Sequence, residues 1–257
     1  MMGWRIFKHS VQMVLRNFQQ ALQIALVPGV IGMALLIGLA MVTGTWDSLQ
    51  APVSDLNPGS TDTDLGGLGA FGISAMLIIW TISFWIVVTW HRYVLLEEMP
   101  KGWLPPFRAD RVLAYTGLFL MLGLIAMVAM FPFGILLGVM GQSAPGLVVI
   151  VGFFYLIALI LCIYRLCVML PASAIGQPIT LATAWSKTEG TFGTLIVLLI
   201  VSGIFQIIVQ AIFSLLMAIP VIGLALVLIP SILILPLINV SILTTMYGVY
   251  VEGRSID

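Results

Sequence analysis

Leu195-Ile-Val-Leu-Leu-Ile-Val201 is apolar at every position. A strand of a membrane barrel would alternate polar and apolar residues over ~10 positions. A helix on a soluble surface would keep its polar residues on one side. This stretch does neither, so it predicts a helix surrounded by hydrocarbon. The apolar character extends from Phe192 to Ile219, enough for a helix to cross ~30 Å of bilayer core. Five further runs have the same character: residues 21–42, 69–90, 113–140, 146–170 and 222–250. The predicted fold is therefore all-α: a polytopic transmembrane helical bundle of six spans, forming one integral membrane domain over residues 1–257.

Composition agrees. Of 257 residues, 61% are hydrophobic and only 8% charged, and the mean hydropathy is +1.18. A soluble domain needs about a quarter charged residues to cover its surface. The first run is longer than the ~7–15 apolar residues of a cleavable signal peptide, so it reads as a retained span. Only a Gly-Gln-Ser-Ala-Pro turn separates spans three and four, and Pro220-Val221 separates spans five and six; both pairs should form tight hairpins. Cys162 and Cys167 lie five apart on different faces of one span, so no disulfide between them is expected.

Charge orients the bundle. Asp47, Asp55, Asp62 and Asp64 lie between spans one and two, with no Lys or Arg beside them. All ten basic residues fall on the other side: Arg5, Lys8, Arg16, Arg92, Lys101, Arg108, Arg111, Arg165, Lys187 and Arg254. By the positive-inside rule that side is cytoplasmic. Both termini are then inside, and residues 43–68 form a periplasmic loop rich in turn residues. The aspartates of that loop do not match the spacing of a calcium loop.

On the basic side, residues 3–19 place Trp4, Phe7, Val11, Val14, Leu15 and Phe18 at three- and four-residue steps, with the charged residues mostly elsewhere. This predicts an amphipathic helix lying among the lipid headgroups. Ile179–Glu189 gives a second such stretch. Trp103–Val112 also mixes aromatic and basic residues, but its two prolines oppose helix. Interfacial anchoring explains all three; recruitment of a partner is the alternative. Aligning Arg92 with Arg165 matches Trp90–Leu96 to Tyr164–Leu170, consistent with an interfacial segment plus a hairpin used three times in parallel.

Tyr164-Arg-Leu-Cys-Val-Met-Leu-Pro-Ala-Ser-Ala174, followed by Thr183-Ala-Trp-Ser-Lys-Thr-Glu-Gly-Thr-Phe192, resembles a group of uncharacterised six-span bacterial inner-membrane proteins. Some of that group are related to the membrane portion of glycerophosphodiester phosphodiesterases. The resemblance implies a bacterial inner-membrane location. It does not carry over the phosphodiesterase activity, because no soluble segment here is long enough for a hydrolytic domain.

Chemistry is sparse. No Asp or Glu falls in the six apolar cores, so the usual mark of a proton-coupled carrier is missing. Arg165, near the end of span four, and Arg92, at the end of span two, are candidate headgroup contacts, reached by snorkelling. Gln206 and Gln210, four apart on span five, and Asn239 in span six are candidates for a polar path or for helix-interface bonds. Pro28, Pro132, Pro171, Pro230 and Pro236 interrupt four spans, with two in span six. His9 and His91 have no ligand spacing around them. No metal, cofactor or catalytic residue is expected, and no enzyme activity; nor is nucleic acid a partner. Two functions remain. One is a non-catalytic accessory, scaffold or assembly factor of a membrane complex or of membrane organisation. The alternative is a small transporter or permease for a lipid-like or weakly polar solute.

Overall fold

The computed structural model describes residues 1–46, 65–100, 102–141, 143–220 and 222–256. The acidic stretch with Asp47, Asp55, Asp62 and Asp64 lies outside the described residues, as does Lys101. Every regular element described is helical. They are α1 (Met2–Arg16), α2 (Phe18–Val42), α3 (Leu65–Leu96), α4 (Ala109–Met140), α5 (Pro145–Leu166), α6 (Met169–Ile175), α7 (Leu181–Lys187), α8 (Phe192–Met217), α9 (Ile222–Ile229) and α10 (Leu235–Tyr250). A π-helical turn, Pro230–Ile234, joins the last two. Among the described residues, six helical stretches are long and apolar enough to cross a membrane, and each covers most or all of one of the six runs read from the sequence.

Two of those runs are broken, and proline explains both breaks. Pro171 has no N–H for the carbonyl of Cys167. The long helix α5 stops at Leu166, and the Leu170 N–H takes the Cys167 carbonyl at 3.0 Å instead. The chain restarts as α6, which ends at Gly176 with φ +84°. A side chain there would be strained and would collide with the Arg111 guanidinium, 2.6 Å from an ideal Cβ. In the last span Pro230 and Pro236 bracket the π-helical turn, where the wider winding accommodates the missing donors.

The packed core sits at the end of the bundle where the basic residues gather. There α1 lies against α8 and α10, and α6 is wedged against α3, α4 and α10. All seven residues of α6 are buried. One cluster joins Ile6, Phe7, Val168, Ala184, Leu198 and Met246. Further from this end the packing thins. The α4–α5 hairpin is pinned by Phe133 over Tyr155, 5.9 Å between ring centroids, and by the Tyr155 hydroxyl donating to the Ala129 carbonyl. Phe131, Val139, Val149 and Phe154 point away from the chain. In lipid such residues need no burial, because acyl chains are as apolar as leucine.

The first helix differs from the sequence reading. It covers Met2–Arg16 and buries Gly3, Ile6, Phe7, Ser10 and Val14. Phe7 and Val14 fall on the expected apolar stripe, whereas Trp4, Leu15 and Phe18 are exposed. Tight helix contact selects the buried face. An ideal Cβ on Gly3 would lie 2.9 Å from the Leu198 amide nitrogen, so only glycine lets α1 approach the α8 backbone. The Ile179–Glu189 stretch forms α7, whose cap is the Thr180 hydroxyl accepting from the Thr183 N–H at 3.1 Å. Residues 102–108, with their two prolines, are not helical.

Candidate functional site

Two adjacent spans bring Gln206, Gln210 and Asn239 together. With Phe213, Ser231, Leu235 and Pro236 they line one groove of about 520 Å³ between α8 and the π-helical turn with α10. Helical rise places Gln206 about 21 Å along α8 from Phe192, near mid-membrane. All three amide side chains are exposed on the flank of the bundle. Asn239 Nδ2 donates back to the Leu235 carbonyl, one turn earlier on α10, at 3.2 Å. Among the described residues, neither glutamine side chain meets a partner within hydrogen-bond distance. The groove is thus polar, lateral and open, rather than a dry, paired helix interface.

Toward the basic end, the polar groups of α10 are sealed. The fully buried Trp90 indole donates to Ser241 Oγ at 2.8 Å. His91 Nδ1 and Thr244 Oγ1 are 2.8 Å apart, and Ser10 Oγ meets Thr245 Oγ1 at 3.0 Å. These bonds tie α1, α3 and α10 into one polar lock inside an apolar core, where each unpaired group would cost about 1–3 kcal/mol. The sequence reading missed this lock. Its signal was present, since Ser241, Thr244 and Thr245 share one face of span six by their i, i+3, i+4 spacing.

The two arginines proposed for headgroups are both largely covered, each with its own internal partners. Arg165 is 3% exposed. Its Nε donates to Thr188 Oγ1 at 3.1 Å and its Nη2 to the Trp185 carbonyl at 2.5 Å. It therefore does not snorkel outward; its donors fasten α7 onto the end of α5. The physical reason is that Trp185 and Thr188 follow one turn apart on the segment folded back over it. Arg92 is largely covered as well. Its Nε pairs with Glu98 Oε2 at 2.7 Å and its Nη1 donates to the Ala174 carbonyl at 3.2 Å. Arg108 pairs with the other oxygen of Glu98. Burial raises the Glu98 pKa, but hydrogen bonds from Arg108 and Arg92 outweigh it and hold the carboxyl below its ordinary value. On α1, burial and then the charge of Arg16 lower the His9 pKa.

Remaining ties close the same end. Tyr93 donates to Asn17 Oδ1 at 2.7 Å, Arg254 donates to the Leu95 carbonyl at 3.0 Å, and Arg5 donates to the Ile256 carbonyl. Cys162 and Cys167 are free and partly buried. Among the described residues, no three His, Cys, Asp or Glu side chains gather into a group that could hold a metal. No family model matches the chain, and neither a curated protein nor a solved structure matches it.

Proposed function

We propose that this chain is a non-catalytic accessory, scaffold or assembly factor of a larger membrane complex, held in the bacterial inner membrane with both termini cytoplasmic. The observation that carries the reading is the lateral groove of Gln206, Gln210 and Asn239. Exposed amides facing hydrocarbon are costly unless something bonds to them, and a neighbouring helix with its own polar side chain supplies such bonds. Along α10 the groove's polarity gives way to the buried Ser241, Thr244 and Thr245, bonded to Trp90, His91 and Ser10 of the neighbouring helices, which favours a docking face over a passage. The basic end is cytoplasmic by the positive-inside rule, and α1 and α7 lie at headgroup depth on that side. The resemblance to six-span inner-membrane proteins supports the same location.

The test is a photo-crosslinking residue placed at Gln206 or Gln210, read in cells and in native nanodiscs. A discrete heteromeric adduct is expected, and a Gln206→Leu, Gln210→Leu double variant should lose the complex while still folding. A chain that stays alone or self-associates identically in both forms would overturn the reading.

A second reading has its own observation. The π-helical turn contributes Ser231 to the groove wall, and Pro236 at the start of α10 adds to it; interrupted helices line substrate sites in transporters. Under that reading the chain carries a lipid-like or weakly polar solute. Proteoliposomes of the purified chain alone would then move the solute, and the double variant would not.

A further inference from the structure

A second cavity lies at the basic end, on the other side of α3 from the polar lock. It holds about 570 Å³, within the range of small-ligand sites. One wall is a helical stripe of α3: Trp85, Val88, Thr89 and Arg92. Arg108 and Val112 at the start of α4 face it, and the linker with Glu98, Met99 and Pro100 forms its roof. Its floor and mouth differ in chemistry. Trp85 is about 10 Å deeper along α3 than Arg92, so the floor is apolar and the mouth is charged.

The charges at the mouth do not cancel. Two guanidiniums share one carboxylate, leaving a net charge of +1 on Arg92, Arg108 and Glu98. A guanidinium has five N–H donors. Arg92 uses its Nε on Glu98 and its Nη1 on the Ala174 carbonyl, and Arg108 uses its Nη2 on Glu98. Donors remain on both, in the fork geometry that suits phosphate. Arg92 has a side-chain exposure of 14%, too covered for a solvated anchor. Lower down, Trp85 is 8% exposed and its indole N–H has no acceptor among the described residues.

From these features we infer that the cavity binds an anionic phospholipid of the leaflet on the basic side. The phosphate sits between Arg92 and Arg108, and the upper acyl chain lies along Val88, Val112 and the Trp85 ring. The site is separate from the Gln206 groove and does not depend on the reading given to it.

The test uses the delipidated full chain in detergent, titrated with phosphatidylglycerol, phosphatidylcholine or inorganic phosphate, with bound lipid counted by native mass spectrometry. Phosphatidylglycerol should be retained over phosphatidylcholine, and millimolar inorganic phosphate should not displace it. Arg108→Gln, which leaves the Arg92 contact with Ala174 intact, should weaken phosphatidylglycerol binding at least about tenfold. Val88→Trp should block the floor without changing the charge. Equal retention of the two lipids would overturn the inference. So would unaltered binding in both variants, or displacement by inorganic phosphate, which would assign the arginines to a free anion.

Discussion

The guanidinium carbon of Arg165 stands 3.7 Å from the centroid of the Trp185 ring, with the Phe192 ring 5.0 Å away on the start of the next span. One side chain therefore joins the end of α5, the short helix α7 and the start of α8. Both stacking and two directed donors act together here. Arg165→Lys keeps the charge but loses the flat stacking face and the forked donors. It should lower stability by about 1–3 kcal/mol, read as thermal unfolding in detergent. Equal stability of the lysine variant would show that charge alone matters at this position.

Trp90 and Ser241 should reveal an asymmetry. Ser241→Ala leaves a fully buried indole N–H without an acceptor and should cost about 1–3 kcal/mol. Adding Trp90→Phe removes that orphaned donor, so the double variant should lose less stability than the sum of the two single losses. A double-mutant cycle on unfolding free energy measures the difference. Strict additivity would mean that the bond seen at 2.8 Å contributes nothing.

Close approach of α1 and α8 rests on Gly3. Gly3→Val should force the helices apart and cost about 1–3 kcal/mol. Gly193→Ala is the control, because a Cβ there meets nothing within 4 Å. The control should be neutral or slightly stabilising, since it removes backbone freedom from the unfolded chain. Circular dichroism melts of the two variants make the comparison.

Glu98 sets an acid limit on the linker over the lipid cavity. Its folded pKa lies below the ordinary carboxylate value. The stabilisation it brings is full above the unfolded value and is lost as pH falls through the lowered folded value. A spectroscopic label on the exposed Met99 position (Met99→Cys, without the native cysteines) should report loosening of the linker in that acid range, and Glu98→Gln should already be loose at neutral pH. Since Glu98 is partly exposed, added salt should weaken the effect.

Orientation can be read by labelling. With Cys162 and Cys167 replaced, Ser143→Cys in the α4–α5 turn should react with an impermeant maleimide from the periplasmic side. Ser186→Cys on α7 should react only after the membrane is opened. The reverse pattern would invert the topology.

Much of the fold follows from local chemistry. Runs such as Leu195–Val201 offer water nothing, and a helix is the only open-ended structure that satisfies its own backbone in lipid. The candidate groove was half legible. Gln206 and Gln210 share a face by spacing alone, and their meeting with Asn239 along one groove depends on how spans five and six pack. Arg165 was misread because a sequence shows how far a side chain reaches along its own helix and not which segment folds over it. Trp185 and Thr188, some 20 residues on, decide that instead.

By itself, the sequence determined six apolar spans, their hairpin order and the segregation of basic residues to one end, because hydropathy and charge act on each segment separately. Only the tertiary structure decided which face of α1 is buried, which polar residues of α10 are bonded, and that Arg92 and Arg108 converge above an apolar cavity. Those outcomes depend on distances between segments far apart in the chain. Inside a membrane, packing contacts and hydrogen bonds set such distances, and uniformly apolar spans do not encode them by pattern.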